Sequence, residues 1–458
     1  MKTSAGGHVG DIASACRPWA LLLVFAAAPA SGQSLVALYQ SARAYDAVYQ
    51  GARAQHAASV ARAAQARAGV LPVMGLTAGA TRTQQDLSTA EASFRRGVHS
   101  NNVGINLTQP LYRPANWAAY EQGGLQEETA GSQLVLAEQD LIVRVSQAYF
   151  DVLASQDSLV LVRAQKIGVS QQLASAMRNF DVGTSTITDT REAQARFDLV
   201  VAQEIAAAND LEVKKIVLDQ LVGQSGSSPT PLAAPVVLPV LAPNPVDVWL
   251  AQAEAEHPAI RQAMLGVEIA KLEIRKAQAG HQPTIDAQLG YNITTNPQNT
   301  TSTAVPGKVR VGAASLGVVF NWPLFAGFAT ENRVRETIAL ADQSLASLEN
   351  TRRNVSVSTR AAYLGLMSGV SQVKALEAAE ASSQVALDAN RMGYQVGVRI
   401  NIDVLNSQSQ LFQTKRDLAL ARYNVLLGGL RLRQANGTLT PVALDALNAT
   451  LASQPSPP

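Results

Sequence analysis

Cysteine is almost missing from this 458-residue chain. The only one, Cys16, stands before an apolar stretch, "WALLLVFAAA", which Arg17 precedes and "PASGQS" follows. Ala28-Pro29-Ala30 has the small-x-small form of a cleavage site, so residues 1–30 read as a secretory signal peptide cut after Ala30 or Gly32. The competing reading is a short buried helix. Loss of the leader removes Cys16, which leaves no disulfide, no thiol chemistry and no cysteine-based zinc site. It also leaves no cysteine placed for lipid attachment. Aromatic residues make up only 5% and charged residues 16% of the chain, and much of the 47% hydrophobic content is alanine. Alanine favours helix and close helix packing while burying little area per residue. That balance fits long, thin helix seams better than a thick core. Beyond the leader no apolar run reaches the ~18 residues of a spanning helix. If the exported chain crosses a membrane, it must do so as a β-barrel.

Catalytic motifs are missing as well. The histidines (His8, His56, His99, His257, His281) are isolated, and none sits in an HExxH arrangement. "VGQSG" lacks the spacing of a GxSxG nucleophile elbow, and "PGKV" lacks the upstream glycine and the Ser/Thr of a phosphate loop. The net charge of +2, with no basic patch interleaved with aromatics, gives no sign of nucleic acid as a partner. The expectation is no enzyme, no cofactor and no metal.

What is present is a sequence written twice. Around "QPLY" and "NWPLF", Pro110, Leu111 and Tyr112 align with Pro323, Leu324 and Phe325. "DVGTSTITD" aligns with "QVGVRINID", so Val182, Gly183 and Asp189 meet Val396, Gly397 and Asp403. Tyr149 then falls on Tyr363 and Gly223 on Gly437; upstream, Asp46, Ala68, Gly69 and Pro72 meet His257, Ala279, Gly280 and Pro283. The unit of about 210 residues is too long for a solenoid repeat. The predicted organisation is a first repeat over 31–225, a proline-rich extended linker over 226–245, a second repeat over 246–437 and a mobile tail over 438–458. Each repeat should run helix, two strands, very long helix, tight turn, second long helix. In the first these are 35–68, 71–86, 99–111, 114–180 and 190–221; in the second, 247–280, 283–296, 308–322, 328–395 and 402–435.

The helix over 114–180 would be on the order of 100 Å long. Its apolar residues alternate at spacings of three and four: Leu134, Leu141, Val145, Ala148, Val152, Leu159, Val162, Val169, Leu173, Ala176 and Phe180. A period of about 3.5 specifies coiled-coil packing. Ile142, Tyr149, Phe150 and Leu153 lie off that seam and make a second sticky flank. Two flanks let a helix pack between two neighbours in a ring; a plain coiled-coil hairpin is the alternative. The strands alternate cleanly. In "TIDAQLGYNIT", Ile285, Ala287, Leu289, Tyr291 and Ile293 share one face, and Thr284, Asp286, Gln288 and Asn292 share the other. Val103, Ile105 and Leu107 repeat the pattern. Apolar-out, polar-in strands suit a transmembrane barrel, although a soluble sandwich looks the same. Tyr112, Trp117, Trp322, Phe325 and Phe328 cluster where strands give way to helices, as an interfacial girdle would. Four strands cannot close a barrel, so the barrel must be shared: two chains give eight strands, three give twelve and room for a channel. The fold class expected is mainly α with a small β part, internally duplicated.

The informative polar residues cluster at the two hairpin turns. Gly183 and Gly397 mark the tips, and Asp189 and Asp403 follow in equivalent first turns, where the helix dipole favours an acid. The second copy adds Tyr394 and Arg399 where the first has Phe180 and Ser185. "ITDTREAQARFD", "GYQVGVRINIDVLNSQSQLFQTKRDLALARYNVLLGGLRLRQANGTL" and the duplicated plan resemble the TolC family of outer-membrane channel proteins over essentially the whole mature chain. The resemblance implies a homotrimer with a twelve-stranded outer-membrane β-barrel and a periplasmic α-helical tunnel. It also implies docking to an inner-membrane ABC or other transporter and a periplasmic adaptor (membrane fusion protein), for type I protein secretion or drug efflux. By position, Thr188 and Asp189 resemble the family's closed-state contacts for Arg399 and Tyr394. Gly183 and Gly397 fall at the adaptor-facing tips, and Asp403 resembles a member of the acidic ring at the mouth. Asn406 stands where a second acidic ring would fall. The missing lipid-accepting cysteine resembles the secretion branch more than the lipoprotein branch. An exported coiled-coil structural or adaptor protein is the alternative.

Overall fold

The computed structural model describes residues 32–88, 93–233, 245–297, 307–449 and 451. The expected leader lies outside these residues, as do 234–244 of the expected linker. Both repeats have the same plan. In the first, α1 (Leu35–Tyr45) and α2 (Ala47–Ala68) lead to β1 (Val73–Ser88) and β2 (Ser93–Tyr112), then α3 (Pro114–Asp181) and α4 (Ile187–Val222). In the second, α5 (Val246–Glu256) and α6 (Pro258–Gln278) lead to β3 (Thr284–Asn296) and β4 (Val309–Asn321), then α7 (Ala329–Gln395) and α8 (Asn401–Ala435). A short α9 (Val442–Asn448) follows. No described helix is long and apolar enough to cross a membrane.

The expected single helices 35–68 and 247–280 are each broken, at the aligned residues Asp46 and His257. Both cap the helix that follows: the Asp46 carboxylate accepts from the Tyr49 amide at 2.8 Å, and His257 Nδ1 accepts from the Ala259 amide at 3.1 Å. Pro258, with no amide hydrogen to satisfy, suits the first position of α6. Arg144 of α3 fixes the first break with two bonds to Asp46, at 2.9 and 3.0 Å.

Each break receives the end of a hairpin helix. Gly223 ends α4 with φ +72° beneath the Tyr45 ring, and Gly437 follows α8 with φ +83° against His257. A Cβ on Gly223 would stand 2.3 Å from that ring, and one on Gly437 2.6 Å from the His257 backbone. So α2 continues the line of α4, and α6 that of α8, as two composite rods. One flank of α3 packs on the α2/α4 rod, with Gly123 against Ala63 and Ala66 and Ser155 donating to Asp210 at 2.6 Å. The other packs on the α6/α8 rod through Gln122 to Glu273 (3.0 Å), Tyr423 to Asp157 (2.7 Å) and the Phe150–Tyr423 ring pair. Ile142, Tyr149, Phe150 and Leu153 are buried alongside Leu141, Val145 and Val152, so both expected flanks of α3 are used. Next, α7 lies against α6 and α8, through Arg333–Glu273 at 2.8 Å and Thr359 to the Ala435 carbonyl at 2.8 Å. The lateral order is α2/α4, α3, α6/α8, α7.

The four strands form one antiparallel sheet in order β1-β2-β3-β4. Register places Met74, Leu107, Leu289 and Leu316 in one cross-strand row and Leu76, Ile105, Tyr291 and Ala314 in the next. The opposite face carries Gly75, Asn106, Gly290 and Ser315, then Thr77, Gly104, Asn292 and Ala313. Leu76, Met74, Leu316 and Val318 are exposed on the apolar face. At the junction with the helices, Arg113 binds Asp286 through two bonds, at 2.8 and 2.5 Å. Asp286, expected on the open polar face, is buried there.

The tail is corrected. Residues 438–449 are docked: Leu439, Leu444 and Leu447 are buried in the main core, and Leu451 bridges Leu232. Regularly spaced leucines can bury their area, which the proline-rich ending "SQPSPP" had obscured; that ending lies outside the described residues. The start of the linker is also held, because Asp219 accepts from the amides of Gly226 and Ser227 at 2.8 and 2.9 Å.

Candidate functional site at the hairpin tips

The two tips share one backbone device. The Gly183 amide donates to the Phe180 carbonyl (2.9 Å) and the Thr184 amide to Asn179 (2.8 Å); Gly397 and Val398 repeat this with Tyr394 (3.2 Å) and Gly393 (2.9 Å). Both glycines have positive φ, +78° and +79°, and open space where a Cβ would stand. Glycine is therefore required for conformation and not for room. Val182, Val396, Val398 and Ile400 are exposed around the tips.

The returning helices start differently. In α4, Thr186 and Asp189 form a reciprocal capping box. The Asp189 amide donates to the Thr186 hydroxyl at 3.2 Å, and the Asp189 carboxylate accepts from the Thr186 amide at 3.1 Å. The same carboxylate takes the hydroxyls of Thr186 (2.8 Å) and Ser185 (2.9 Å). Burial acts to raise its pKa, but these bonds outweigh it and hold the carboxyl below its usual range. In α8 the cap position is Ile400, which has nothing to offer. Asp403 instead faces Arg399, one turn earlier on its own hairpin, at 3.7 Å.

Within the chain, the four residues expected to tie the hairpins together do not bond one another. Asp189 is taken by its own cap and Arg399 by Asp403, because the nearer donor and acceptor in sequence win the shorter contact. Thr188 sits in the first turn of α4 without a side-chain bond to the second hairpin. Tyr394 does cross between hairpins, but its hydroxyl accepts from Asn179 Nδ2 at 3.1 Å. The other cross-links are Gln172 to Asn401, Asn401 Nδ2 to the Asp189 backbone carbonyl at 3.5 Å, and Arg196 to Asn406 Oδ1 at 2.9 Å. Sequence reasoning missed Asn179, Gln172, Asn401 and Arg196. The Thr186 cap was missed too, although Thr-x-x-Asp at 186–189 could have signalled it; the amide contacts had no local signature. No group of three or more His, Cys, Asp or Glu among the described residues could hold a metal.

The model of the family described as "Outer membrane efflux protein" matches this chain twice, over residues 38–224 and 249–438. Those matches fall on the two structural copies. The Outer membrane protein TolC of Escherichia coli K12 is 32% identical over 433 residues, covering 92% of this chain and 85% of its own. The Alkaline protease secretion protein AprF of Pseudomonas aeruginosa is 29% identical over 397 residues, covering 85% and 82%. Among solved structures, the outer-membrane channel OprN matches with a TM-score of 0.77 at 17% identity, covering 89% of this chain and 93% of its own. At that identity the likeness concerns the fold. This chain belongs to the outer membrane efflux protein family.

Proposed function

We propose that the chain is a passive, gated exit duct in the bacterial outer membrane, serving a tripartite export system. Three copies would share a twelve-stranded barrel above a helical tunnel that extends into the periplasm. A periplasmic adaptor would meet the tips at Gly183 and Gly397, and an inner-membrane ABC or other transporter would supply the energy. The carrying observation is a four-stranded sheet with one apolar face and two unclosed edges, set on helices about 100 Å long. Open edges are not tolerated in lipid, so the sheet needs further strands from other copies. Relatives named for TolC, for protease secretion and for efflux support export, with protein secretion favoured.

Gating belongs to the tips in this reading. Thr188, Asp189, Tyr394 and Arg399 are the proposed gate residues, and Asp403 the ring that narrows the mouth. Support comes from the unequal tips: one hairpin is locked by its own cap, while the other carries a half-exposed acid and arginine. Recording in planar bilayers tests the function. The mature protein should need detergent for extraction and should open discrete conducting steps. A protein that stays soluble without detergent and never conducts would instead favour the exported coiled-coil adaptor.

A further inference from the structure

The apolar face of the sheet is edged differently at its two ends. Its apolar rows follow β3 from Ile285 to Ile293, about 27 Å of strand. At a barrel tilt of ~40° they cover most of the ~25 Å apolar band of an outer-membrane barrel. The end nearest the helices carries exposed aromatic rings, among them Tyr112, Trp322 and Phe325. The cation at that junction, Arg113, is matched inside the chain by the buried Asp286.

The far end carries unmatched cations. The last apolar row is Ala78, Val103, Ile293 and Gly312; the next row on the same face is Ala80, Asn101, Thr295 and Arg310. One row further out, Arg82 stands opposite His99. Arg82, His99 and Arg310 are all exposed, and neither arginine has an ion pair among the described residues. Lys308, two residues before Arg310, adds another exposed positive charge. Beyond them on the same face, Asp86 is already held by Arg95 at 2.6 Å. An arginine facing hydrocarbon is costly, but at the edge of the band its guanidinium reaches the headgroup level, where phosphate oxygens accept bidentate bonds. With strands ~4.8 Å apart and a rise of ~3.4 Å per residue, Arg82 and Arg310 leave the backbone about 16 Å apart. A single phosphate can engage one of them. A headgroup with a phosphate at each end can engage both.

Resting on the outer-membrane duct reading above, we infer that Arg82, His99 and Arg310 form a binding site for a glycolipid with a doubly phosphorylated headgroup. The helices mark the periplasmic end of the sheet, so this rim lies in the opposite, cell-surface leaflet. Arg310 takes one phosphate, and Arg82 with the His99 ring N–H takes the other. The acyl chains lie along the apolar rows below, over Val103, Ile293 and Leu76. The barrel is thereby seated at a fixed depth, with aromatic rings at one interface and phosphate-bound arginines at the other.

Lipid retention by the full-length, leader-processed protein in a neutral detergent tests the site, read by native mass spectrometry. The probes are bisphosphorylated lipid A, its dephosphorylated form and inorganic phosphate. The wild type should hold the bisphosphorylated lipid at least tenfold more tightly than the dephosphorylated form, and inorganic phosphate at equal concentration should not displace it. Arg82→Gln with Arg310→Gln should weaken retention at least tenfold. Arg82→Lys with Arg310→Lys should weaken it less, because lysine keeps the charge without the planar fork. Arg53→Gln, at an exposed arginine on α2, should leave it unchanged. The glutamine variant should conduct as the wild type does in phosphatidylcholine bilayers, which establishes that it folds. Equal retention by the wild type and a conducting glutamine variant overturns the site. Equal binding of the dephosphorylated lipid, or displacement by inorganic phosphate, overturns the assignment to a phosphorylated lipid. If the glutamine variant does not conduct, the contrast between the two lipid forms on the wild type decides alone. A wild-type protein that never conducts overturns the duct reading itself, whatever lipid it holds.

Discussion

Asp189 and Asp403 hold equivalent places in the two copies and have different neighbours. Three side-chain or amide donors from Thr186 and Ser185 surround Asp189. Its pKa is depressed in the folded protein, so its contribution is present above the ordinary carboxylate pKa of about 3.9 and is lost as pH falls through the folded value. Asp189→Asn should therefore loosen the first tip by about 1 kcal/mol at neutral pH. That difference should vanish in strong acid, as read by amide exchange over residues 184–190. Asp403 is not enclosed in this way. Three copies around a mouth would focus a negative potential, which favours cations and binds multivalent ones. Channels should be blocked from the periplasmic side by trivalent cations at low salt, and Asp403→Ala should nearly abolish the block. Asn406→Asp should strengthen it, but by less than a free second ring would, because Arg196 already donates to that position at 2.9 Å. An unchanged blocking concentration in Asp403→Ala would remove Asp403 from the aperture. Tyr394→Phe with Arg399→Ser removes the hydroxyl that meets Asn179 and the cation beside Asp403. The neutral bond is worth about 0.5–1.5 kcal/mol and the exposed ion pair at most about 1 kcal/mol, so single-channel conductance should rise modestly; an unchanged value in intact assemblies would make these residues simple helix-end contacts. At this scale the sequence was only partly legible. The glycine tips and the Thr-x-x-Asp cap have local signatures, whereas Asn179 and Arg196 find partners more than 200 residues away that only the packed hairpins bring near.

Most helices and strands were legible to within a few residues of their ends, because periodicity and turn residues are local signals, but β2 begins at Ser93 and not at the expected residue 99. The breaks at Asp46 and His257 were not legible, since the apolar pattern runs through them. They exist because a cap and an arriving glycine meet there. That junction gives a paired test among glycines of nearly equal φ. Gly223 lies under Tyr45, while Gly183 has nothing within reach of a Cβ. Gly183→Ala should cost only the backbone strain, about 1 kcal/mol. Gly223→Ala adds displacement of a packed ring, worth a further ~1–3 kcal/mol, and should show the larger fall in melting temperature. Equal falls would mean that the stacking of α2 on α4 does not depend on this close approach. The exposed apolar residues of α7, including Leu364 and Val385, belong to this scale too. This 67-residue helix has one flank packed and another open.

At the scale of the whole molecule, duplication supplies the architecture: each copy provides two strands and one long hairpin, and neither copy alone nor both together can close a ring. The sheet's outer strands, β1 and β4, and the helix layer's outer members, the α2/α4 rod and α7, are open on the same grounds. The sequence led to the expectation of further chains, because a count of four strands cannot close in lipid. Strand count alone left two or three chains open, because the number depends on the tilt and curvature of packed elements; only the family resemblance implied three. Stoichiometry in detergent therefore bears most directly on the account. Light scattering of the extracted, leader-processed protein should give a single species with the mass of three chains once bound detergent is subtracted. A monodisperse monomer or dimer would contradict the shared barrel and the duct built on it.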